Sequence, residues 1–165
     1  MNAFIICISV LLSNAFSEVV VSLQDVGEIT FQAEPEYKKL GHREVYLEPR
    51  DSSNRSVSLI HLKDVLEEFP EGPELSSYFN ELMHGILDAS IDSKLIRSDT
   101  MQYHGLTGFE FIFTRDFNGY DDARLTKRMF LHKGYLLILS YEELEGRGHE
   151  KKIQAFFNSL VIYDD

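Results

Sequence analysis

Apolar and polar positions alternate with a period of two over much of this chain, which is the signature of half-buried strands. "EVVVSL" (residues 18–23) and "EITFQA" (28–33) flank a turn at Asp25-Val26-Gly27, and Pro35 stops the second run. "HREVYLEP" alternates next, with Val45 and Leu47 on one face and Arg43 at the edge of that face. "DSSN" (51–54) reads as a loop. "RSVSLIHLK" is another strand, with Val57, Leu59 and His61 on one side and Ile60 and Leu62 on the other.

The period changes after the break at Pro70, Gly72 and Pro73. Leu75, Tyr78, Phe79, Leu82, Met83, Ile86 and Leu87 recur at helical spacing and form one apolar stripe. Pro73 and Glu74 suit the first turn, where a proline forfeits no hydrogen bond and an acid meets the positive helix end. The polar face lacks Lys and Arg, so this stripe predicts packing onto a sheet rather than onto a membrane surface.

The second half predicts a strand meander. "KLIRSDTMQY" leads into "LTGFEFIFTRDF", where Phe109, Phe111 and Phe113 share a face. "ARLTKRMFLH" returns with Leu125, Met129 and Leu131 together, and Lys133-Gly134 turns the chain into "YLLILSYEE". That last run is apolar on both faces, as a central strand covered on both sides requires. A short helix carrying Ile153, Phe156, Phe157 and Leu160 follows "EGRGHEK", and "LVIYDD" closes the chain as a strand. Two helices and about six to eight hairpin-connected strands predict an α+β fold with an antiparallel sheet. The doubly covered strand places the helices on opposite faces of that sheet.

"GLTGFEFIF", "KRMFLHKGYLLILSY" and "IQAFFNSLVI" together resemble the C-terminal half of PsbP-like domains. The matching positions are Gly108, Arg128, Phe130, Gly134, Tyr135, Leu137, Phe156, Phe157, Ser159 and Leu160, within residues 105–163. The resemblance implies an α/β/α sandwich around an antiparallel sheet. That superfamily includes photosystem accessory proteins, a Ran-binding import factor, bacterial envelope lipoproteins and secretion-system chaperones. It implies a non-catalytic binding or accessory role, with no cofactor and no shared site residue.

Bulk composition changes the picture in two ways. The chain has 165 residues, 44% hydrophobic, enough for one domain with a sizeable core. Its net charge of −11 disfavours nucleic acid and anionic membranes as partners. The densest basic cluster, Arg124, Lys127 and Arg128, sits beside Asp121 and Asp122. The start of the chain is the other signal. "MNAFIICISVLLSNAFS" carries no charged side chain, and its apolar run from Phe4 to Leu12 is nine residues long. A spanning helix needs about 20 residues and a signal-peptide core about 7–15. Ser13 and Ala15 suit cleavage before Phe16; Ala15 and Ser17 suit cleavage before Glu18. The expectation is a signal peptide over 1–17, a single domain over 18–165, a secreted or periplasmic location, and no stable membrane insertion after cleavage. The single cysteine, Cys7, falls in the signal, so the mature domain has no thiol for a disulfide, nucleophile or metal. Asn54-Arg55-Ser56 is a glycosylation sequon.

Catalytic grammar is missing. No Gly-x-Ser-x-Gly elbow occurs, and the six histidines are scattered singly rather than paired at zinc-ligand spacing. "EGRGHEK" opens a helix with two glycines and Arg147, a place where an anion could settle, although a plain loop and cap explains it. Tyr103, Tyr120, Tyr135 and Tyr141 are candidates for an aromatic groove or for packing. The most site-like stretch is "DFNGYDD", with Asp116, Asn118, Tyr120, Asp121 and Asp122. A calcium loop wants acids at its first, third and fifth positions, glycine sixth and glutamate twelfth. Here the glycine comes fourth, tyrosine fifth and Lys127 twelfth. Asn118-Gly119 instead signals a hairpin turn, and the surrounding acids are left as candidate contacts to a partner. The expected function is to engage a protein or peptide partner without catalysis, metal or cofactor. The alternative is a small-molecule or lipid carrier with an apolar cavity between helix and sheet.

Overall fold

The structure is a computed structural model. It describes residues 18–50, 52–63, 66, 68–117, 120–144 and 149–164, the side chains of 117 and 120–122 excepted. The strands in chain order are β1 (Val19–Leu23), β2 (Gly27–Phe31), β3 (Glu36–Leu40), β4 (Arg43–Pro49) and β5 (Ser53–His61). Helix α1 (Gly72–Asp88) follows, then β6 (Lys94–Tyr103), β7 (Leu106–Phe117), β8 (Tyr120–His132) and β9 (Tyr135–Glu143). Helix α2 (Glu150–Asn158) and β10 (Val161–Ile162) end the domain. This is the α+β architecture that the hydrophobic pattern predicts.

Seven strands form one antiparallel sheet in the order β3-β4-β5-β9-β8-β7-β6. β9 is the middle strand, and its two apolar faces serve two cores. Leu136 and Ile138 face α1, while Leu137, Leu139 and Tyr141 face α2. The α1 core joins Phe79 and Met83 to Phe109, Phe111, Phe113, Leu125 and Met129. Phe79 stacks on Phe109 with ring centroids 6.1 Å apart. The other core joins Ile153, Phe156, Phe157 and Leu160 to the sheet and to a second, three-stranded sheet, β1-β2-β10. The helices therefore do lie on opposite faces, and the closing strand belongs to the smaller sheet.

Two local departures have physical causes. β3 has no counterpart in the pattern, because all five of its residues are exposed and so show no alternation. On β4 the Val45–Leu47 face is only half-buried, while Glu44 and Glu48 are buried on the opposite face. Glu48 tolerates burial because it pairs with Arg50 and, at 3.3 Å, with Arg55. Lys133-Gly134 turns β8 into β9 as expected, with φ of 50° and 83° at the two residues, the left-handed pair of a tight hairpin.

Several of the residues that carry the resemblance, Phe130, Leu137, Phe156, Phe157 and Leu160 among them, share the core under α2. The Arg128 guanidinium lies 4.5 Å from the Phe157 ring centroid and donates to Glu110 at 2.8 Å. Ser159 Oγ donates to the Phe156 carbonyl at 2.7 Å and faces the Thr30 backbone at 3.3 Å. Gly108 lies against the Phe130 ring, so that a Cβ there would come within 2.4 Å of it and within 2.9 Å of the Met129 carbonyl. Gly108→Ala is expected to destabilise the protein by about 1–3 kcal/mol through overpacking. Urea unfolding checks this, with an unchanged midpoint as the contrary result.

Candidate functional site

The face of the large sheet under α1 is not uniformly apolar. Cross-strand register aligns Ser56 on β5 with Ser140 on β9, and Ser140 with Lys127 on β8. This row of two hydroxyls and an ammonium crosses three adjacent strands where a packed helix would want large apolar side chains. Ser58, one step along β5, receives the Arg43 guanidinium at 2.8 Å. The C-terminal half of α1 spans the gap with Leu82, Ile86, Ala89 and Ser90. The space enclosed is about 450 Å³, with Phe113, Leu125, Leu136 and Ile138 as its apolar floor. Ligand cavities commonly hold about 300–1,000 Å³.

The electrostatics of this cleft run against the acidity of the whole chain. Lys127, Arg43 and Arg115 all line it. Arg115 donates to Glu142 Oε1 at 2.8 Å, and Asn54 donates to Glu142 Oε2 at 3.0 Å, so that carboxylate is engaged on both oxygens. Lys127 Nζ donates to Ser140 Oγ at 2.5 Å. Among the described residues neither Lys127 nor Arg43 has a carboxylate partner. Burial pushes the Lys127 ammonium down to about 8; the Arg115 cation adds to that, Glu142 opposes it, and Arg43 adds a little more. An anion delivered next to Lys127 would relieve this penalty. The cleft thus offers a cationic, hydroxyl-lined end and an apolar wall.

The sequence-predicted residues fare differently. Asp116 is exposed at the end of β7, and its N–H donates to the Ile91 carbonyl at 3.2 Å. β7 and β8 pair antiparallel on either side of the "DFNGYDD" tip, with Phe117 opposite Tyr120, as the hairpin reading requires. Asn118 lies outside the described residues, as do the side chains of Tyr120, Asp121 and Asp122. The basic cluster does not form one patch. Arg124 and Arg128 point to the α2 face and Lys127 to the α1 face, because neighbours on a strand alternate. Nor do the described tyrosines line one groove. Tyr141 is in the core, and Tyr103 donates to the Leu160 carbonyl at 2.7 Å against Phe130. Tyr135 packs on His61 with ring centroids 4.9 Å apart. Residues 145–148 of "EGRGHEK" are outside the description, and so is the 1–17 segment.

No group of three or more His, Cys, Asp or Glu side chains among the described residues could hold a metal ion. Among the same residues no helix is long and apolar enough to cross a membrane.

The cyanobacterial PsbP (CyanoP) from Synechocystis superposes with a TM-score of 0.66 and 14% identity, over 90% of this chain and 94% of that one. The chain has the PsbP-like fold. A Pseudomonas aeruginosa protein of unknown function superposes with a TM-score of 0.60 and 12% identity, over 90% of this chain and 99% of that one. The PsbP-like likeness therefore extends well beyond residues 105–163, into the first half of the chain. No family model matches the sequence, and no curated protein is similar to it.

The residues of the cleft were not singled out by motif. Its polar members on the sheet are scattered over five strands, β4, β5, β7, β8 and β9. The one available signal is that Ser140 follows Leu136 and Ile138 on one face of β9 and that Ser56 and Ser58 precede Ile60 on β5, a change from apolar to polar that becomes meaningful only once the register is known.

Proposed function

We propose that this protein is a non-catalytic binding protein and that the cleft under α1 is its ligand site. The ligand class is a small amphiphile with one anionic group and an apolar body, a medium-chain carboxylate being the simplest example. The observation that carries this reading is the Lys127 ammonium, held inside a cleft of about 450 Å³ with a serine hydroxyl as its hydrogen-bond partner. A carboxylate there would be bound through charge-assisted hydrogen bonds, and its chain would lie over Leu125, Leu136 and Ile138. Calorimetric titration with octanoate is expected to give saturable one-to-one binding that weakens as the chain is shortened to acetate. Equal affinity for acetate and octanoate, or no binding by either, would contradict the reading.

A second reading, engagement of a protein or peptide partner, is favoured by β6. This ten-residue strand forms an edge of the large sheet and is exposed along nearly its whole length. Leu95 and Ile96 are 43% and 54% exposed there. An unpaired edge can accept an added strand. In that case Ile96→Lys should abolish a stoichiometric complex with the native partner while leaving octanoate binding intact.

We also propose that residues 1–17 direct export, on the strength of their short uncharged apolar run. The mature protein should then begin at Phe16 or Glu18 by mass spectrometry of the extracytoplasmic fraction. Recovery only of chains retaining Met1 would contradict this.

A further inference from the structure

A second cavity opens on the other side of the large sheet, near the start of α2. It encloses about 330 Å³ and is lined by Gln32, Arg50, Ser52, Ser53, Arg55, Tyr141, His149 and Lys152. Four of those residues are basic. The carboxylate closest to them in bonding terms, Glu48, is already committed to Arg50 and Arg55. Glu143, the last residue of β9, accepts the His149 backbone N–H at 3.3 Å.

Buried donors are left over after this pairing. Arg55 is 4% exposed; one terminal nitrogen reaches Glu48 at 3.3 Å and the other reaches Gln32 at 2.9 Å, yet its Nε has no hydrogen-bond partner among the described residues. Tyr141 is 1% exposed and its hydroxyl also has no hydrogen-bond partner among the described residues. Native proteins satisfy almost all buried donors, and each one left over calls for an explanation. Two such donors lining one basic cavity point to a ligand rich in acceptors. His149 also lines the cavity, with its Nδ1 3.7 Å from the Glu143 carboxylate.

We propose that this cavity is an oxyanion site, which takes a phosphate group either as the free ion or as the end of a small ester. Arg55 Nε and the Tyr141 hydroxyl donate to its oxygens from the buried end. Lys152, exposed at the rim, supplies charge from the solvent side. The site is separate from the cleft under α1, since the strand positions facing it lie on the opposite face of the sheet.

The test is thermal unfolding and calorimetry with inorganic phosphate, against chloride at matched ionic strength. Four proteins are compared: the wild type, Tyr141→Phe, Lys152→Gln and Lys127→Met. Phosphate is expected to raise the melting temperature of the wild type and of Lys127→Met alike. Tyr141→Phe removes only an unsatisfied hydroxyl, so it should fold and yet bind phosphate about tenfold more weakly, the value of one hydrogen bond to a charged group. Lys152→Gln, at an exposed position, should also weaken binding. Glycerol phosphate binding more tightly than the free ion would assign the site to an ester, and equal binding would assign it to the ion. A phosphate response equal to that of chloride would overturn the proposal. So would a response unchanged in Tyr141→Phe and Lys152→Gln, or one lost only in Lys127→Met.

Discussion

Glu48→Ala is expected to destabilise the protein by about 3–5 kcal/mol, the usual loss when one partner of a buried ion pair is removed. Glu48 is 1% exposed and serves two guanidinium groups at once, Arg50 and Arg55. It also faces the Gln32 N–H at 3.4 Å. Truncation leaves the Arg55 cation in the core interface with, among the described residues, only the Gln32 side chain as a hydrogen-bond partner. The loss should be read from urea unfolding of the variant beside the wild type. Glu48→Gln keeps an acceptor for the Gln32 N–H and should fall between the two. A Glu48→Ala variant within about 0.5 kcal/mol of the wild type, the range of ordinary surface substitutions, would show that the pair contributes no net stability.

Lys127→Met is expected to have opposite effects on binding and on stability. Octanoate affinity should fall about a hundredfold, as the loss of a charge-assisted contact of roughly 3 kcal/mol implies. The unliganded variant should be at least as stable as the wild type, since methionine fills a similar volume without a charge to desolvate. The pH dependence follows from the sign of the shift. The Lys127 pKa is lowered from 10.5 to about 8 in the fold. Below about 8 the side chain is charged in both folded and unfolded states, and the fold carries the full penalty. Between about 8 and 10.5 the unfolded chain keeps the proton while the folded one releases it, so stability from this group rises with pH. The difference in stability between Lys127→Met and wild type should therefore shrink across that window. A difference that is constant with pH would mean that Lys127 is not penalised by burial.

Much of the fold was legible because its strongest signals are tied to burial. The α1 stripe from Leu75 to Leu87 and the two-sided apolar run of β9 each need a core on the side they present, and the sheet supplies it. β3 was illegible for the converse reason. Its residues pair with β4 through the backbone, and Tyr37 meets Tyr46 with ring centroids 5.1 Å apart, but nothing is buried that would mark the sequence. Glu44 and Glu48 reverse the polarity expected of β4, since ion pairing substitutes for apolar burial there.

The candidate site was much less legible. "DFNGYDD" concentrates its polar residues within seven positions, so it attracts notice. The cleft gathers Arg43, Ser56, Ser58, Lys127 and Ser140 from four strands, and only their register brings them to one place. Lys127 lies beside Arg128 and three residues from Arg124, so along the chain it reads as part of a basic surface patch. Alternation sends Arg128 to the opposite side, where it covers Phe157. A sequence pattern reports the faces of single strands; it does not report which residues of different strands become neighbours.

The most direct test of the cleft as an anion site is the affinity of the wild-type protein for octanoate, measured by calorimetry across neutral and alkaline pH. Binding anchored by the Lys127 ammonium should be strongest at neutral pH and should weaken as the pH passes about 8, where the unliganded side chain loses its proton. Octanoate affinity that holds unchanged up to the ordinary lysine range near 10.5 would contradict the assignment of Lys127 as the anchor.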